Sequence, residues 1–257
     1  MVDRKKRRLN NILFAAVFVA ALGFAASFAF NLSGQIIYRR DGRVAAANSA
    51  IIQEIFADIS VGADTIRPHY PMAVARNLTH NEDIIAYIAI PGTNVGNVVV
   101  QGMDNSHYLY TDAFGQPNVN GALFMDYRNS PSFTDPNTII YGHNMRNGTM
   151  FHNLRYYMNE SFWREHPHIV VITDYDVLIY EIFATFSTHV DFYYIQVDFN
   201  DERGDFEGLI NEMARRAVFD TDIRAARYDR VLILSTCTNI HQDTRFVVAA
   251  RLLVREY

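Results

Sequence analysis

The 257-residue chain has a single cysteine, Cys237, a single tryptophan and no surplus of basic residues. One cysteine excludes an intrachain disulfide and leaves three interpretations of the thiol: an inert core side chain, an intermolecular bridge or a reactive nucleophile. Lys and Arg total 23 against 28 Asp and Glu, for a formal net charge of −5. Because nucleic-acid binding requires basic residues that neutralise phosphates, this charge argues against a nucleic-acid partner.

One long apolar run stands at the N-terminal end. Residues 11–30 contain no charged side chain, and five Arg and Lys residues precede them within residues 1–8. At 1.5 Å per residue, the 19 residues from Ile12 to Phe30 span roughly 28 Å, about the thickness of the hydrocarbon core of a bilayer. Its length exceeds that of a signal-peptide core, which favours an uncleaved signal-anchor over a cleaved signal peptide. We expect residues 1–31 to form a cytoplasmic basic tail and one membrane span, with the rest of the chain outside the cell.

Helical spacing gives way to β patterning along the chain. Residues 42–59 have the pattern of an amphipathic helix, which Pro68 and Pro71 interrupt, so residues 32–80 are predicted to form a juxtamembrane helical segment. From about residue 83, β-branched and apolar runs alternate with turn residues, and helical spacing recurs over 150–167 and 205–219. Seven or eight strands with short inserted helices predict a mainly β domain over 81–257, a closed barrel with mostly antiparallel, sequential pairing.

Cys237 and Arg245 stand at the junction of two apolar runs, 231–237 and 246–254. If these strands pair as a hairpin, both residues lie at one rim, where a guanidinium suits an oxyanion or a substrate carbonyl. A reactive thiol also needs a proton-transfer partner. Among nine histidines, His143 is the best candidate, because it follows Gly142 at the end of an apolar strand. His241 is closer in sequence and is interpreted as a loop residue.

Each candidate also has a purely structural interpretation. A lone cysteine in an apolar strand is most often core packing, and Arg245 could pair with Asp243 at the surface for little stability. From the residue types alone, both interpretations stay open. His166 and His168 flank a proline, but no cysteine or carboxylate completes a metal site of familiar spacing, so we predict no metal.

These segments resemble those of a known family. LSTC followed by Arg245 resembles the Leu-x-Thr-Cys…Arg signature of sortases, the cell-surface cysteine transpeptidases of Gram-positive bacteria. NTIIYGHNMRNGTMFHNLRYY resembles the class B form of the catalytic histidine segment, and IAIPGT, VVQGMDNSHYLYTD and GALFMD are similar to other class B segments. The resemblance runs from about residue 83 to 254, with the motifs in family order, and implies a sortase-like barrel.

Carried over residue by residue, the resemblance implies that Cys237 is the nucleophile, His143 the general acid and base, and Arg245 the stabiliser of the oxyanion or substrate. The backbone N–H of Thr238 would help to bind the oxyanion. Further substrate-contact positions implied by the resemblance are Ser235, Asn105, Leu109, Tyr194 and Ile195. Two departures stand out: Ile233 occupies a position where many sortases have Thr, and the spacing of eight residues from Cys237 to Arg245 is shorter than in many relatives.

The resemblance also implies a reaction and its partners. A sorting signal of the Leu-Pro-x-Thr-Gly type, or a class B variant, would be cleaved from a secreted protein through a thioester and transferred to an amino group of peptidoglycan. No cofactor is implied, and the expected location is the cell membrane, with the catalytic domain extracellular. The alternatives are a cysteine hydrolase that uses water as acceptor, a pilin-polymerising sortase and a non-catalytic, membrane-tethered binding module.

Overall fold

The computed structural model describes residues 32–47, 50, 69–199, 205–237 and 243–256. The chain divides into two compact units, Met1–Arg43 and Val44–Tyr257. The predicted membrane anchor, residues 1–31, lies outside the described residues, so the anchor stays a prediction. Of the helices that the structure does describe, none has the length and apolar character needed to cross a bilayer.

The segment between residues 32 and 80 contains two described helices, α1 (residues 32–47) and α2 (His69–Thr79). The chain is already helical at residue 32, ten residues before the predicted start at residue 42, and most of the predicted range up to 59 is not described. Pro71 was expected to interrupt a helix, but it lies in the first turn of α2. This position tolerates proline because the N–H that proline lacks has no partner within the helix there.

Within the described residues, eight strands form a closed barrel in the order β1-β2-β3-β4-β7-β8-β6-β5. The strands are β1 (Ile84–Ala89), β2 (Gly96–Val100), β3 (Leu123–Met125), β4 (Asn137–Tyr141), β5 (His168–Ile172), β6 (Val177–His189), β7 (Val231–Cys237) and β8 (Thr244–Glu256). The predicted mainly β, closed barrel is therefore confirmed.

The pairing departs from the expected sequential order. Most neighbouring strands are antiparallel, as predicted, but β2–β3 and β4–β7 are parallel, and β5 closes the barrel against β1. Parallel neighbours need a long connection between them. Here the long segment 101–122 joins β2 to β3, and two strands, β5 and β6, and three short described helices separate β4 from β7 in the chain.

The inserted helices fall where helical spacing was predicted. The first region, 150–167, contains two short elements, a 3-10 helix (His152–Met158) and α3 (Glu160–Glu165). They are separate because Asn159 is extended and its side chain accepts a hydrogen bond from Ser161 N, which starts a new helix. The second region contains α4 (Phe206–Arg216).

Helix α4 is held by its cap and its apolar face. The side chain of Asp205 accepts a hydrogen bond from Gly208 N at 2.8 Å. Phe206, Ile210 and Met213, spaced by four and three residues, are buried in one cluster with barrel side chains of β4, β6, β7 and β8. This cover explains why Val231 and Ile233, which belong to the same cluster, are fully buried although they sit on a barrel wall.

The barrel brings three strand ends together. The predicted hairpin of β7 and β8 is present, with Cys237 opposite Arg245 in its register. The parallel pairing of β4 with β7 places Tyr141 beside Ser235, and Gly142 N donates to the Ser235 carbonyl at 3.2 Å. The last residues of β4 and β7 and the first of β8 therefore meet at one end of the barrel.

Candidate active site

A cavity of about 300 Å³ opens at this end of the barrel. Its lining residues are Asn105, Leu109, Phe124, Tyr141, Gly142, His143, Val190, Phe192, Tyr194, Ile195, Ser235, Thr236 and Arg245. They come from the 101–122 segment, from the ends of β3, β4 and β7, from the start of β8, and from the segment that follows β6. The wall is mainly aromatic and aliphatic, with a few polar groups, as in sites that bind a polypeptide or small ligand.

Seven of the nine predicted site residues line this cavity, namely His143, Arg245, Ser235, Asn105, Leu109, Tyr194 and Ile195. Cys237 follows the lining residue Thr236 directly, at the end of β7. The Cys237 side chain lies outside the described part of the structure, and so does Thr238. The register of β7 and β8 nevertheless fixes the Cys237 backbone across from Arg245.

His143 reaches the cavity because the chain passes close to the barrel wall at Gly142. A Cβ at Gly142 would lie 2.4 Å from Leu123 Cδ2 and 2.7 Å from Phe151 Cδ2, so only glycine fits here. Beyond it, the His143 carbonyl accepts a hydrogen bond from Phe151 N at 2.9 Å. These contacts fix the backbone from which the imidazole projects.

The imidazole of His143 is oriented by a backbone carbonyl. Its Nε2 lies 2.9 Å from the carbonyl oxygen of Leu109. Because a carbonyl oxygen only accepts hydrogen bonds, Nε2 carries the hydrogen and donates it. Nδ1 is therefore the ring nitrogen without a hydrogen in the neutral imidazole. The ring of Tyr110 lies nearby, with 6.3 Å between the two centroids.

Tyr194 and Ser235 join two walls of the cavity. The Tyr194 hydroxyl and Ser235 Oγ are 2.8 Å apart, and both residues are buried. The segment that carries Tyr194 is held from beneath by Asn137, whose Nδ2 donates to the carbonyls of Tyr194 at 3.0 Å and Gln196 at 2.8 Å. Asn137 is fully buried and is the first residue of β4, so its hydrogen bonds attach this wall to the start of that strand.

A set of polar residues around Tyr141 was missed by sequence reasoning. Tyr141 donates to Asp126 Oδ2 at 2.8 Å, and Arg128 forms an ion pair with the same carboxylate. Burial, then the charge and hydrogen bond of Asp126, raise the pKa of the Tyr141 phenol far above its ordinary value. The sequence signal was weak: Asp126 ends GALFMD, a segment similar to a class B one, but an Asp directly after β3 with an Arg two residues later is equally typical of a turn.

The other candidate histidines do not join the cavity. His166 caps α3 and its ring packs on Gly92, while His168 begins β5 opposite Glu181. His241 lies outside the described residues. Across the described ranges, no three or more His, Cys, Asp or Glu side chains are grouped so as to hold a metal ion.

Comparisons with known proteins agree with this architecture. The sortase domain family matches residues 88–253. Sortase B of Listeria monocytogenes is 35% identical over 180 residues, which cover 68% of this chain and 72% of the relative. The Staphylococcus aureus sortase B–substrate complex superposes with a TM-score of 0.74 at 28% identity, covering 84% of this chain and 98% of that one.

A crystal structure of sortase B complexed with triglycine gives a TM-score of 0.72 at 28% identity and covers 83% of this chain and 98% of that one. The family match includes the strands whose ends form the cavity, as well as His143, Cys237 and Arg245. The chain therefore belongs to the sortase family of cysteine transpeptidases and, within that family, to class B.

Proposed function

We propose that this sortase cleaves the sorting signal of an exported protein at Cys237 and transfers the new carboxyl end to an amine. The observation that carries this proposal is the cavity, because His143 and Arg245 line it while the Cys237 backbone is paired with Arg245. A nucleophile, a proton carrier and a permanent cation at one rim are the parts that acyl transfer needs.

The roles follow from the chemistry of each group. The thiolate of Cys237 attacks the carbonyl carbon of a Thr in the signal, and the oxyanion is stabilised by Arg245 and by the N–H of Thr238. His143 gives a proton from Nδ1 to the departing amine as the C–N bond breaks, which leaves a thioester. In the second step Nδ1 takes a proton from the incoming amine, and the thiolate leaves. The two steps need no cofactor.

The substrate class is proposed from the lining and from the relatives. The apolar side chains Leu109, Phe124, Val190, Phe192 and Ile195 suit the apolar parts of an extended peptide. Sortase B of S. aureus has been solved as a substrate complex, and a sortase B as a complex with triglycine. We therefore propose a polypeptide sorting signal as acyl donor and a glycine-type amine of peptidoglycan as acceptor.

Location and domain roles complete the proposal. Sortases act at the cell envelope, and residues 1–31 have the composition of a single-pass anchor with a cytoplasmic basic end. Residues 32–80 would then link the anchor to the catalytic barrel of residues 81–257. Tethering would hold the enzyme where exported proteins and lipid-linked acceptors meet, which raises their effective concentration.

A peptide library tests the proposal. Full-length protein in detergent is incubated with peptides that carry candidate sorting signals, with and without triglycine, and products are read by mass spectrometry. We expect cleavage at one motif and a ligated product when triglycine is present. Cleavage without ligation to any amine would favour the hydrolase. Ligation to lysine side chains alone would favour a pilin polymerase. No cleavage of any peptide would refute the proposal.

A further inference from the structure

One buried carboxylate, that of Asp126, is shared by several walls of the cavity. Its side chain has no exposed surface. Within the described residues, its two oxygens accept five hydrogen bonds. The donors are Asn105 Nδ2 at 3.0 Å, Tyr141 Oη at 2.8 Å, Arg128 Nη2 at 2.7 Å, Arg128 Nε at 2.8 Å and Arg128 N at 3.0 Å.

The carboxylate is saturated by these donors. Two carboxylate oxygens offer about four lone-pair directions, so five donors leave no direction for a substrate group. Burial alone would raise the pKa of Asp126, but the hydrogen bonds from Arg128 and Tyr141 outweigh it and leave the pKa below its ordinary value. Asp126 is therefore an anion whose contacts are all with the protein, behind the cavity wall.

Arg128 connects Asp126 to the wall of the cavity that is formed by the segment after β6. Its guanidinium makes a two-point contact with the carboxylate, and it also donates to the Tyr193 hydroxyl and to the Ile195 carbonyl, both at 2.9 Å. The segment 190–199 contributes Val190, Phe192, Tyr194 and Ile195 to the cavity. Arg128 thus ties this segment to the residue that follows β3.

The same bonds determine which atoms of two lining residues donate hydrogen bonds and which accept them. Tyr141 lines the cavity, and its hydroxyl gives its hydrogen to Asp126, so only lone pairs remain on that oxygen. The Asn105 Oδ1 accepts from Tyr127 N at 3.1 Å, which settles the amide orientation. One of the Asn105 amide hydrogens goes to Asp126, and the other, which has no acceptor among the described residues, is left to donate. Asp126 therefore determines which wall group accepts and which donates.

We propose that Asp126 is a positioning residue for substrate binding. It determines whether Asn105 and Tyr141 donate or accept hydrogen bonds at the cavity wall and, through Arg128, it holds the 190–199 segment in position. This inference rests on the proposed function for its kinetic consequence, because the groups it orients are the ones that would meet the sorting signal. It assigns Asp126 no contact with substrate and no part in proton transfer.

Asp126→Asn tests the inference, because the amide keeps the shape but turns an N–H₂ toward donors. We expect KM for the sorting peptide to rise by at least about tenfold, the effect of losing a charge-assisted hydrogen bond, with a smaller change in kcat. A merely structural role would lower the amount of active enzyme, and thus the apparent kcat, while KM stayed unchanged.

Asp176→Asn is the matched control. Asp176 is also a buried carboxylate paired with an arginine, Arg255, but it lies before Val177 at the start of β6, whereas the cavity lies beyond the other end of that strand. The control should lose stability and keep the wild-type KM. An Asp126→Asn enzyme with wild-type KM, or an equal rise in KM in both variants, would overturn the inference.

Arg128→Lys provides a second readout that needs no activity. Lysine keeps the charge near Asp126 but lacks the fork that reaches Tyr193 and Ile195. We expect faster amide hydrogen exchange over residues 190–199 in Arg128→Lys and in Asp126→Asn, and no change there in Asp176→Asn. Unchanged exchange in Arg128→Lys would overturn the inference even if Asp126→Asn fails to fold. Lack of any cleavage by the wild type would instead refute the proposed function.

Discussion

His143 Nε2 donates a hydrogen bond to the Leu109 carbonyl oxygen at 2.9 Å, and this contact determines which ring nitrogen carries the hydrogen in the neutral imidazole. We predict that the neutral imidazole carries its hydrogen on Nε2 and has none on Nδ1. Long-range ¹H–¹⁵N spectra of histidine-labelled protein measure this directly, with His143→Gln identifying the signal. A neutral form protonated on Nδ1 would contradict the assignment and the proton path through that atom.

Arg245→Lys tests the role proposed for the guanidinium. Lysine keeps the positive charge but replaces a planar, two-pronged donor with a single point donor. Removal of one oxyanion donor in other enzymes lowers kcat by about 100-fold or more, and we expect a loss of that order here. Steady-state kinetics with the sorting peptide measure it. A variant with the wild-type kcat would exclude the oxyanion role.

Gly142→Ala should damage both stability and activity. The new Cβ would lie 2.4 Å from Leu123 and 2.7 Å from Phe151, so the barrel wall or the chain before His143 must move. Overpacking of this kind costs about 1–3 kcal/mol, and displacement of the imidazole lowers kcat as well. Urea unfolding and kinetics measure the two effects.

Gly34→Ala is the control for that substitution, because a Cβ at Gly34 meets no atom of the described residues within 4 Å outside its own helix backbone and chain neighbours, and α1 tolerates alanine. The control should match the wild type in kcat. A Gly142→Ala enzyme with wild-type stability and turnover would show that the close approach at Gly142 does not position His143.

Asp126 also predicts part of the acid sensitivity of the fold. Its folded pKa is below the ordinary 3.8, so its contribution to stability is present above about pH 4 and is lost as the pH falls through the folded pKa. Asp126→Asn should be less stable at pH 7 and should lose less stability between pH 5 and pH 2. Urea unfolding across that range measures both; parallel profiles for the two proteins would contradict this assignment.

The strands were predictable because their signals are local. Short apolar runs such as 231–234, followed by turn residues, indicate a strand from neighbouring residues alone. The barrel order was not predictable in the same way. The parallel pairing of β4 with β7 joins residues about ninety positions apart, and their partners are decided by packing rather than by any nearby residue.

The candidate site, too, was predictable only in part. Positions at strand ends made His143 and Arg245 the candidate partners of Cys237, but residue types alone left a structural interpretation open. The resemblance to sortases implied the catalytic roles. Asp126 and Tyr141 were missed, because an aspartate after a short strand looks like a turn residue and a tyrosine at the end of an apolar strand looks like core. Their importance depends on contacts with Asn105, across the barrel end, that no local pattern encodes.

The central claim is that Cys237 carries the acyl group between donor and acceptor. The most direct measurement is intact-protein mass spectrometry of the full-length enzyme with its sorting peptide, followed by triglycine. We predict an adduct of the peptide's N-terminal fragment on wild-type protein, localised to Cys237 and discharged by triglycine to a ligated product. Cys237→Ala should fold, form no adduct and give no product. Ligated product from Cys237→Ala would contradict the account.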